Sequence, residues 1–291
     1  MAELIDIIPA QNVLGEGVLW NCGTQTLWWT DIQTRRLLRY DLERKLLDSV
    51  GTPERVGSFG FVAGSSKLIV AFETGIGLHE PGSDVIEWLL RPDFVCPGLR
   101  FNDGRVDRQG RFWSGTMVEG STVEANAALY CVHGRSSVMV AETGVSISNG
   151  ICWSPDASRF YFADSPTRTI FAYDFDRDCA TISNRRVFAR TPDGAYPDGA
   201  NVDSDGFLWS AQWGAGRVVR YAPDGTIDAV LDIPASQPTC IAFGGPELDL
   251  MFVTSARDGL NSDTLMGQPH AGDVFVFRMS VPGVPDGRFI L

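Results

Sequence analysis

Histidine is nearly absent: the 291-residue chain has three, His79, His133 and His270. So few imidazoles exclude a histidine-rich zinc site, and no H-E-x-x-H motif occurs. The phosphate-binding P-loop, the G-x-S-x-G nucleophile turn and the G-x-G-x-x-G dinucleotide fingerprint are missing as well. Six cysteines (Cys22, Cys96, Cys131, Cys152, Cys179, Cys240) are scattered without a C-x-x-C pair, and read as reduced, mostly buried small hydrophobes. No apolar run approaches the roughly 18 residues of a membrane-spanning helix. The start, Met1-Ala2-Glu3-Leu4-Ile5-Asp6, lacks the basic and apolar regions of a signal peptide, so a cytoplasmic protein with no membrane partner is expected. Positive charge is short: 24 Lys and Arg stand against 36 Asp and Glu, a net charge of −12. Nucleic acid, whose footprint needs clustered Lys and Arg, is not an expected partner.

What the chain does have is strand punctuation. Its 31 glycines and 16 prolines are spread throughout, between short runs rich in Val, Ile, Phe, Tyr and Trp, with no long 3.6-residue period. The runs repeat. Trp20-Asn21-Cys22-Gly23, then Leu27-Trp28-Trp29-Thr30-Asp31, then Leu37-Leu38-Arg39-Tyr40-Asp41 form one unit. Trp153-Ser154-Pro155-Asp156, Phe160-Tyr161-Phe162-Ala163-Asp164 and Ile170-Phe171-Ala172-Tyr173-Asp174 form another, and Val202 to Tyr221 a third. The aromatic or aliphatic centres fall at Trp29, Val70, Trp113, Phe162, Trp209 and Phe252, in steps of 41, 43, 49, 47 and 43 residues. Such a period, with three or four strands per unit, predicts an all-β, six-bladed β-propeller spanning residues 1–291 as a single domain. The second unit, Phe61 to Leu78, is the weakest match. Ring closure requires Leu4-Ile5-Asp6-Ile7-Ile8 to serve as the outer strand of the last blade, beside Val274-Phe275-Val276-Phe277.

The polar residues just ahead of each blade's first strand form a pattern. Gly15-Glu16-Gly17, Arg100-Phe101-Asn102-Asp103-Gly104, Ser148-Asn149-Gly150 and Tyr196-Pro197-Asp198-Gly199 occupy the entry loops of blades one, three, four and five. Glu16, Asn102, Asn149 and Asp198 each lie four residues before Trp20, Val106, Trp153 and Val202. A lone Asn-Gly or Asp-Gly is ordinary turn chemistry. Four at one offset in a ring make side chains converge on the axis, and convergent oxygen donors, two of them anionic, suit a hard cation.

Other acidic clusters fail this test. Asn201-Val202-Asp203-Ser204-Asp205-Gly206 resembles the start of an EF-hand loop, but Gln212 stands where a bidentate Glu is required and the flanks are strand-like, so a hairpin turn is expected. Asp31 and Asp164 close second strands and read as structural acceptors. Ser255-Ala256-Arg257-Asp258-Gly259 is expected at the rim or in an ion pair. His79 and His133 read as surface or blade-edge residues, and His270 as lacking a partner.

The ordered series Leu14-Gly15-Glu16-Gly17, Arg100-Phe101-Asn102-Asp103-Gly104, Ser114-Gly115-Thr116-Met117, Ser148-Asn149-Gly150, Tyr196-Pro197-Asp198-Gly199, Phe243-Gly244-Gly245 and Ser255-Ala256-Arg257-Asp258-Gly259 resembles the senescence-marker-protein, gluconolactonase and luciferin-regenerating-enzyme family. The similarity runs from about Val13 to Gly272. It implies a six-bladed propeller with one divalent metal in the central channel, held by Glu16, Asn149 and Asp198. It also implies that Asn102 reaches toward the metal or substrate, that Arg100 contacts substrate oxygens and that Glu119 helps bind the sugar. Some animal members carry two consecutive acidic residues after the Gly-Thr-Met motif; here Glu119 is followed by Gly120, so the animal sugar-binding mode does not transfer whole.

The chemistry that follows is hydrolysis of a sugar-derived lactone to its aldonic acid, with a divalent ion (calcium, zinc, manganese, magnesium or ferrous iron) polarising the carbonyl. Asp198, as ligand or close neighbour, doubles as general base for water. Two other readings belong to different classes: a metal-dependent organophosphate or aryl-ester hydrolase with a more apolar pocket, and a non-enzymatic calcium-binding or interaction propeller with an exposed apolar channel face.

Overall fold

Residues 2–94, 97–120 and 125–291 are described by the computed structural model; Cys96 lies outside them. Short apolar runs separated by tight polar turns pair with their sequence neighbours, and the result is six four-stranded antiparallel sheets arranged as a six-bladed β-propeller. In blade one the strands Gly15–Asn21, Thr26–Asp31, Arg36–Asp41 and Leu46–Gly51 run from the channel outward. Burial falls along that direction: the inner strand is almost wholly buried, whereas Leu46–Gly51 is largely exposed. All six sequence centres, Val70 of the weakly matching second unit included, sit in second strands and are buried.

Aromatic side chains fill the seams between blades. Trp113 and Trp153, from blades three and four, each place a ring centroid 5.4 Å from Phe160. At the closing seam Trp20 of blade one stacks on Phe252 of blade six, with centroids 5.7 Å apart. The ring closes as the pattern predicts: Glu3–Ile8 pairs with Val274–Arg278, Ile7 opposite Phe275 and Ile8 opposite Val274.

A second closure comes from the chain's last residues. Pro282 accepts from Ser204 N–H of blade five, and Gly283 N–H donates to Leu248 of blade six. Phe289 exchanges backbone bonds with Phe61 and Ala63 of blade two, and its ring is fully buried beside Val62 and Phe112. Asp286 reaches into the channel, where its carboxylate accepts from Arg105 Nη1 at 2.6 Å. This strap crosses the end at which the inner strands finish, leaving access at the end where they begin.

The turns bear out the hairpin reading. Asp203 accepts from the N–H groups of Asp205 and Phe207 and from Trp209 Nε1 at 2.9 Å. Asp107 does the same with Gln109, Arg111 and Trp113 in blade three. Both are Asx-type turns locked by the tryptophan of the next strand. Asp31 and Asp164 are structural acceptors, for Val13 and Leu14 N–H and for Ser146 and Ile147 N–H respectively.

Two expectations, both about histidines, are corrected. His79 is buried rather than peripheral, its ring edge-on to Phe72 at 5.4 Å, because the third strand of blade two is covered on both faces. His270 does have a partner, Asp273 Oδ2 at 3.1 Å from Nδ1. Among the described cysteines, Cys131, Cys152 and Cys240 are buried, while Cys22 and Cys179 are exposed in turns.

Candidate active site

The polar residues expected in entry loops lie instead inside the inner strands Gly15–Asn21, Leu99–Val106, Ser148–Trp153 and Tyr196–Val202. What gives them a loop-like sequence is a β-bulge. In each strand three inner-strand steps face two on the second strand, between Glu16 and Leu19, Phe101 and Gly104, Asn149 and Cys152, and Pro197 and Ala200. A bulge twists the strand locally and re-aims its side chains. Gly17 and Gly150 supply the left-handed backbone this requires, at φ of 58° and 65°.

The bulges turn Glu16, Asn102, Asn149 and Asp198 toward one pocket of about 560 Å³, which Arg100 and Glu119 also line. Every residue nominated from the sequence therefore meets in a single cavity. Gln33, Met117, Ser165, Trp213 and Asp258 complete much of its wall, so the Ser255–Gly259 segment does contribute to the rim.

A directed chain of hydrogen bonds fixes the amide orientations. Arg100 can only donate, so its Nη1 meets Asn102 Oδ1 at 2.9 Å. Asn102 then directs Nδ2 to Asn149 Oδ1 and to the Ser148 carbonyl, both at 3.0 Å. Asn149 in turn donates Nδ2 to Ser165 Oγ at 2.8 Å, and that hydroxyl donates to the Pro197 carbonyl at 2.7 Å. Asn149 Oδ1 thus keeps a lone pair beyond the one Asn102 uses.

The carboxylates are the unusual feature. Burial, reinforced by Asp103, raises Glu16 from 4.5 to about 8. Burial followed by repulsion from Glu16 and Asp103 lifts Asp198 well above the usual carboxylate range. Among the described residues neither Glu16 nor Asp198 forms an ion pair; Glu16 accepts only from Gly17 N–H, at 3.1 Å. Asp103, which sequence reasoning passed over, lies one residue deeper, accepting from Gly104 and Ile151 N–H. Its role is to brace the inner strands of blades three and four.

Such a pair of uncompensated buried anions is unfavourable unless a cation joins it. Among the described residues no group of three or more His, Cys, Asp and Glu side chains gathers as a metal site. The donor set present is two carboxylates and a carboxamide oxygen, all hard oxygen donors, and it fits a divalent ion that retains other ligands.

On the opposite wall charge is balanced. Arg100 Nε donates to Glu119 Oε1 at 2.6 Å. Arg55 Nη1 and Nη2 grip both oxygens of the same carboxylate at 3.0 and 2.9 Å. Burial alone would raise Glu119, but the two guanidinium groups outweigh it and hold this carboxyl below its usual range. Arg55 and its second partner Glu73 were not legible as site residues from the sequence.

Comparison with known proteins identifies the family. The chain is 36% identical to 6-deoxy-6-sulfogluconolactonase of Pseudomonas putida, covering 97% of each protein. It is 38% identical to L-arabinolactonase of Azospirillum brasilense, covering 97% of this chain and 94% of that one. The crystal structure of regucalcin, a calcium-binding protein from Agrobacterium tumefaciens, superposes with a TM-score of 0.92 at 29% identity, covering 99% of this chain and 98% of that one. Residues 14–257 match the description SMP-30/Gluconolactonase/LRE-like region, and the chain belongs to that family.

Proposed function

We propose that this protein is a sugar lactonase, opening a sugar-derived lactone to its aldonic acid at the pocket where Glu16, Asn102, Asn149 and Asp198 meet. The observation that carries this reading is the pairing of two uncompensated buried carboxylates with a fixed, charge-balanced hydrogen-bonding wall in one cavity. Relatives named as lactonases of sugar acids support it at 36% and 38% identity. The polar wall answers a hydroxylated substrate, and the apolar faces of Met117 and Trp213 answer its C–H surfaces.

Glu16, Asn149 and Asp198 would hold a divalent cation, which supplies Lewis-acid polarisation of the lactone carbonyl when bound. The protein's own groups orient and transfer protons. Arg100, locked to Glu119 through Nε and to Asn102 through Nη1, keeps Nη2 as the donor that fixes the ring and makes attack effectively intramolecular, while Asn102 holds Arg100 and Asn149 in place. Asp198 accepts a proton as water adds to the carbonyl carbon. When the carbon–oxygen bond of the ring breaks, that proton passes to the departing ring oxygen, leaving a hydroxy acid. Burial and then repulsion from Glu16 raise the basicity of Asp198 in the cation-free pocket, and a bound cation would lower it again.

The test is acid release from a panel of aldonolactones, followed with a pH indicator, using chelator-treated protein with single divalent ions restored. Turnover above the spontaneous rate, abolished in a folded Asp198→Asn variant, is the expected result. No lactone turned over under any ion overturns the proposal, and full activity in Asp198→Asn removes that residue from the chemistry. Aryl esters and phosphotriesters in the same panel test the neighbouring hydrolase class.

A further inference from the structure

We infer that Arg55 is a positioning residue of the substrate wall, acting through Glu119; this rests on the lactonase reading above. Arg55 and Arg100 each stand two residues ahead of the bulge residue of their blade, Gly57 in blade two and Asn102 in blade three. Blade two offers no side chain at its bulge. Its contribution comes from Arg55, which does not line the pocket but grips Glu119, which does.

The grip is built from the backbone outward. Glu73 N–H donates to the Arg55 carbonyl at 2.8 Å, and the Glu73 carbonyl accepts from Phe101 N–H at 3.3 Å, so Glu73 clasps blade two to blade three. Its carboxylate then takes Arg55 Nε and Nη2 at 3.0 and 2.7 Å. Arg55 is therefore bound in fork geometry on both sides, a use of guanidinium that lysine does not reproduce. Glu119 needs such support. It follows the strand Phe112–Val118 and precedes Gly120, its side chain is 32% exposed, and among the described residues only Arg100 Nε holds its carboxylate once Arg55 is gone.

The wall carries two guanidinium groups and two carboxylates, Arg55, Arg100, Glu73 and Glu119, and so presents aligned hydrogen-bonding groups with no net charge. Loss of Arg55 frees Glu119 to rotate and leaves the wall one charge more negative. Loss of the Glu73 charge keeps both guanidinium groups and leaves it one charge more positive. The two changes thus shift selection between neutral and anionic lactones in opposite directions.

The experiment compares native protein, Arg55→Met, Arg55→Lys and Glu73→Gln on a neutral aldonolactone and on a lactone of the same ring bearing a carboxylate. Thermal unfolding of each variant establishes that it is folded. Arg55→Met is expected to raise KM for the neutral lactone about tenfold, corresponding to about 1.4 kcal/mol, with kcat within about threefold, and Arg55→Lys to recover part of that loss. Glu73→Gln is expected to improve kcat/KM for the carboxylated lactone relative to the neutral one several-fold. Unchanged KM in folded Arg55→Met, or a Glu73→Gln variant with the native charge preference, overturns the assignment while leaving lactonase activity standing. Absence of turnover by the native protein overturns both readings.

Discussion

Replacing Glu16 by Gln should have opposite consequences with and without a divalent cation. In cation-free protein Glu16 is buried beside Asp103 and Asp198, and its protonation midpoint rises from 4.5 to about 8. The folded state therefore holds this proton more tightly than the unfolded chain. Its stabilising effect is complete below about pH 4.5 and is lost as pH rises toward 8. At about 1.4 kcal/mol per pH unit, the ionised form costs up to about 5 kcal/mol, an upper bound because the pocket opens to water. In chelator, then, native protein should lose stability between pH 5 and 9. Glu16→Gln should show a shallower slope and unfold up to about 10 °C higher at pH 9, taking the lower end, about 2 °C per kcal/mol, for a chain this long. With cation at about ten-thousandfold excess over Kd the order should reverse, because binding then adds about 5.5 kcal/mol to native protein, and the variant should gain less and lose turnover. Differential scanning calorimetry across this pH range, with chelator and with each ion, reads both arms. Parallel pH slopes for the two proteins in chelator would refute the reasoning, because Glu16 would then not be an uncompensated anion.

Two further expectations concern the frame around the site. Phe289→Ala removes the buried anchor of the C-terminal strap and should cost about 3–5 kcal/mol in urea unfolding; a loss under 1 kcal/mol would show that the strap is not held by this ring. Asp203→Ala leaves Trp209 Nε1 and Arg220 without their shared acceptor, and should cost about 3–5 kcal/mol. Asp203→Asn, which retains an acceptor oxygen, should fall between the variant and native protein in the same measurement.

The propeller could be read from the sequence because most blades repeat a local pattern: an aromatic centre in the second strand, a fixed polar offset in four of the six, and an Asp-centred turn in blades three and five. The polar offset survived in the structure, but its setting did not. Glu16 and Asn149 looked like loop residues because the glycine after each marks a bulge, and a bulge inside a strand carries the same residue types as a turn. Arg55 and Glu119 were another matter. Sixty-four residues separate them, and their contact exists only because blades two and three are adjacent in the ring. No local spacing encodes it. His79 was misplaced for a related reason, since covering on both faces comes from neighbouring strands and not from its own alternation. Asp103 stood in full view within Arg100-Phe101-Asn102-Asp103-Gly104, and only the backbone bonds from Ile151 reveal which blade it braces.

Six sheets of one pattern make a ring that looks much the same after each sixth of a turn, and such a ring has no hand of its own beyond that of its strands. The residues at or beside the bulges give it one. In order around the channel they are Glu16, Gly57, Asn102, Asn149, Asp198 and Thr239. The reflection that would exchange Glu16 with Asp198 passes through blades three and six, and it must also exchange Gly57 with Asn149, which have nothing in common. The mouth of the channel is therefore lopsided, with anionic oxygens on one arc, carboxamides on another and a bare backbone between Glu16 and Asn102. A chiral ring and its mirror image cannot meet this arrangement equivalently, so the order of side chains around a nearly symmetric frame is expected to impose a stereochemical preference. Comparing the two mirror-image forms of one lactone would read that preference directly.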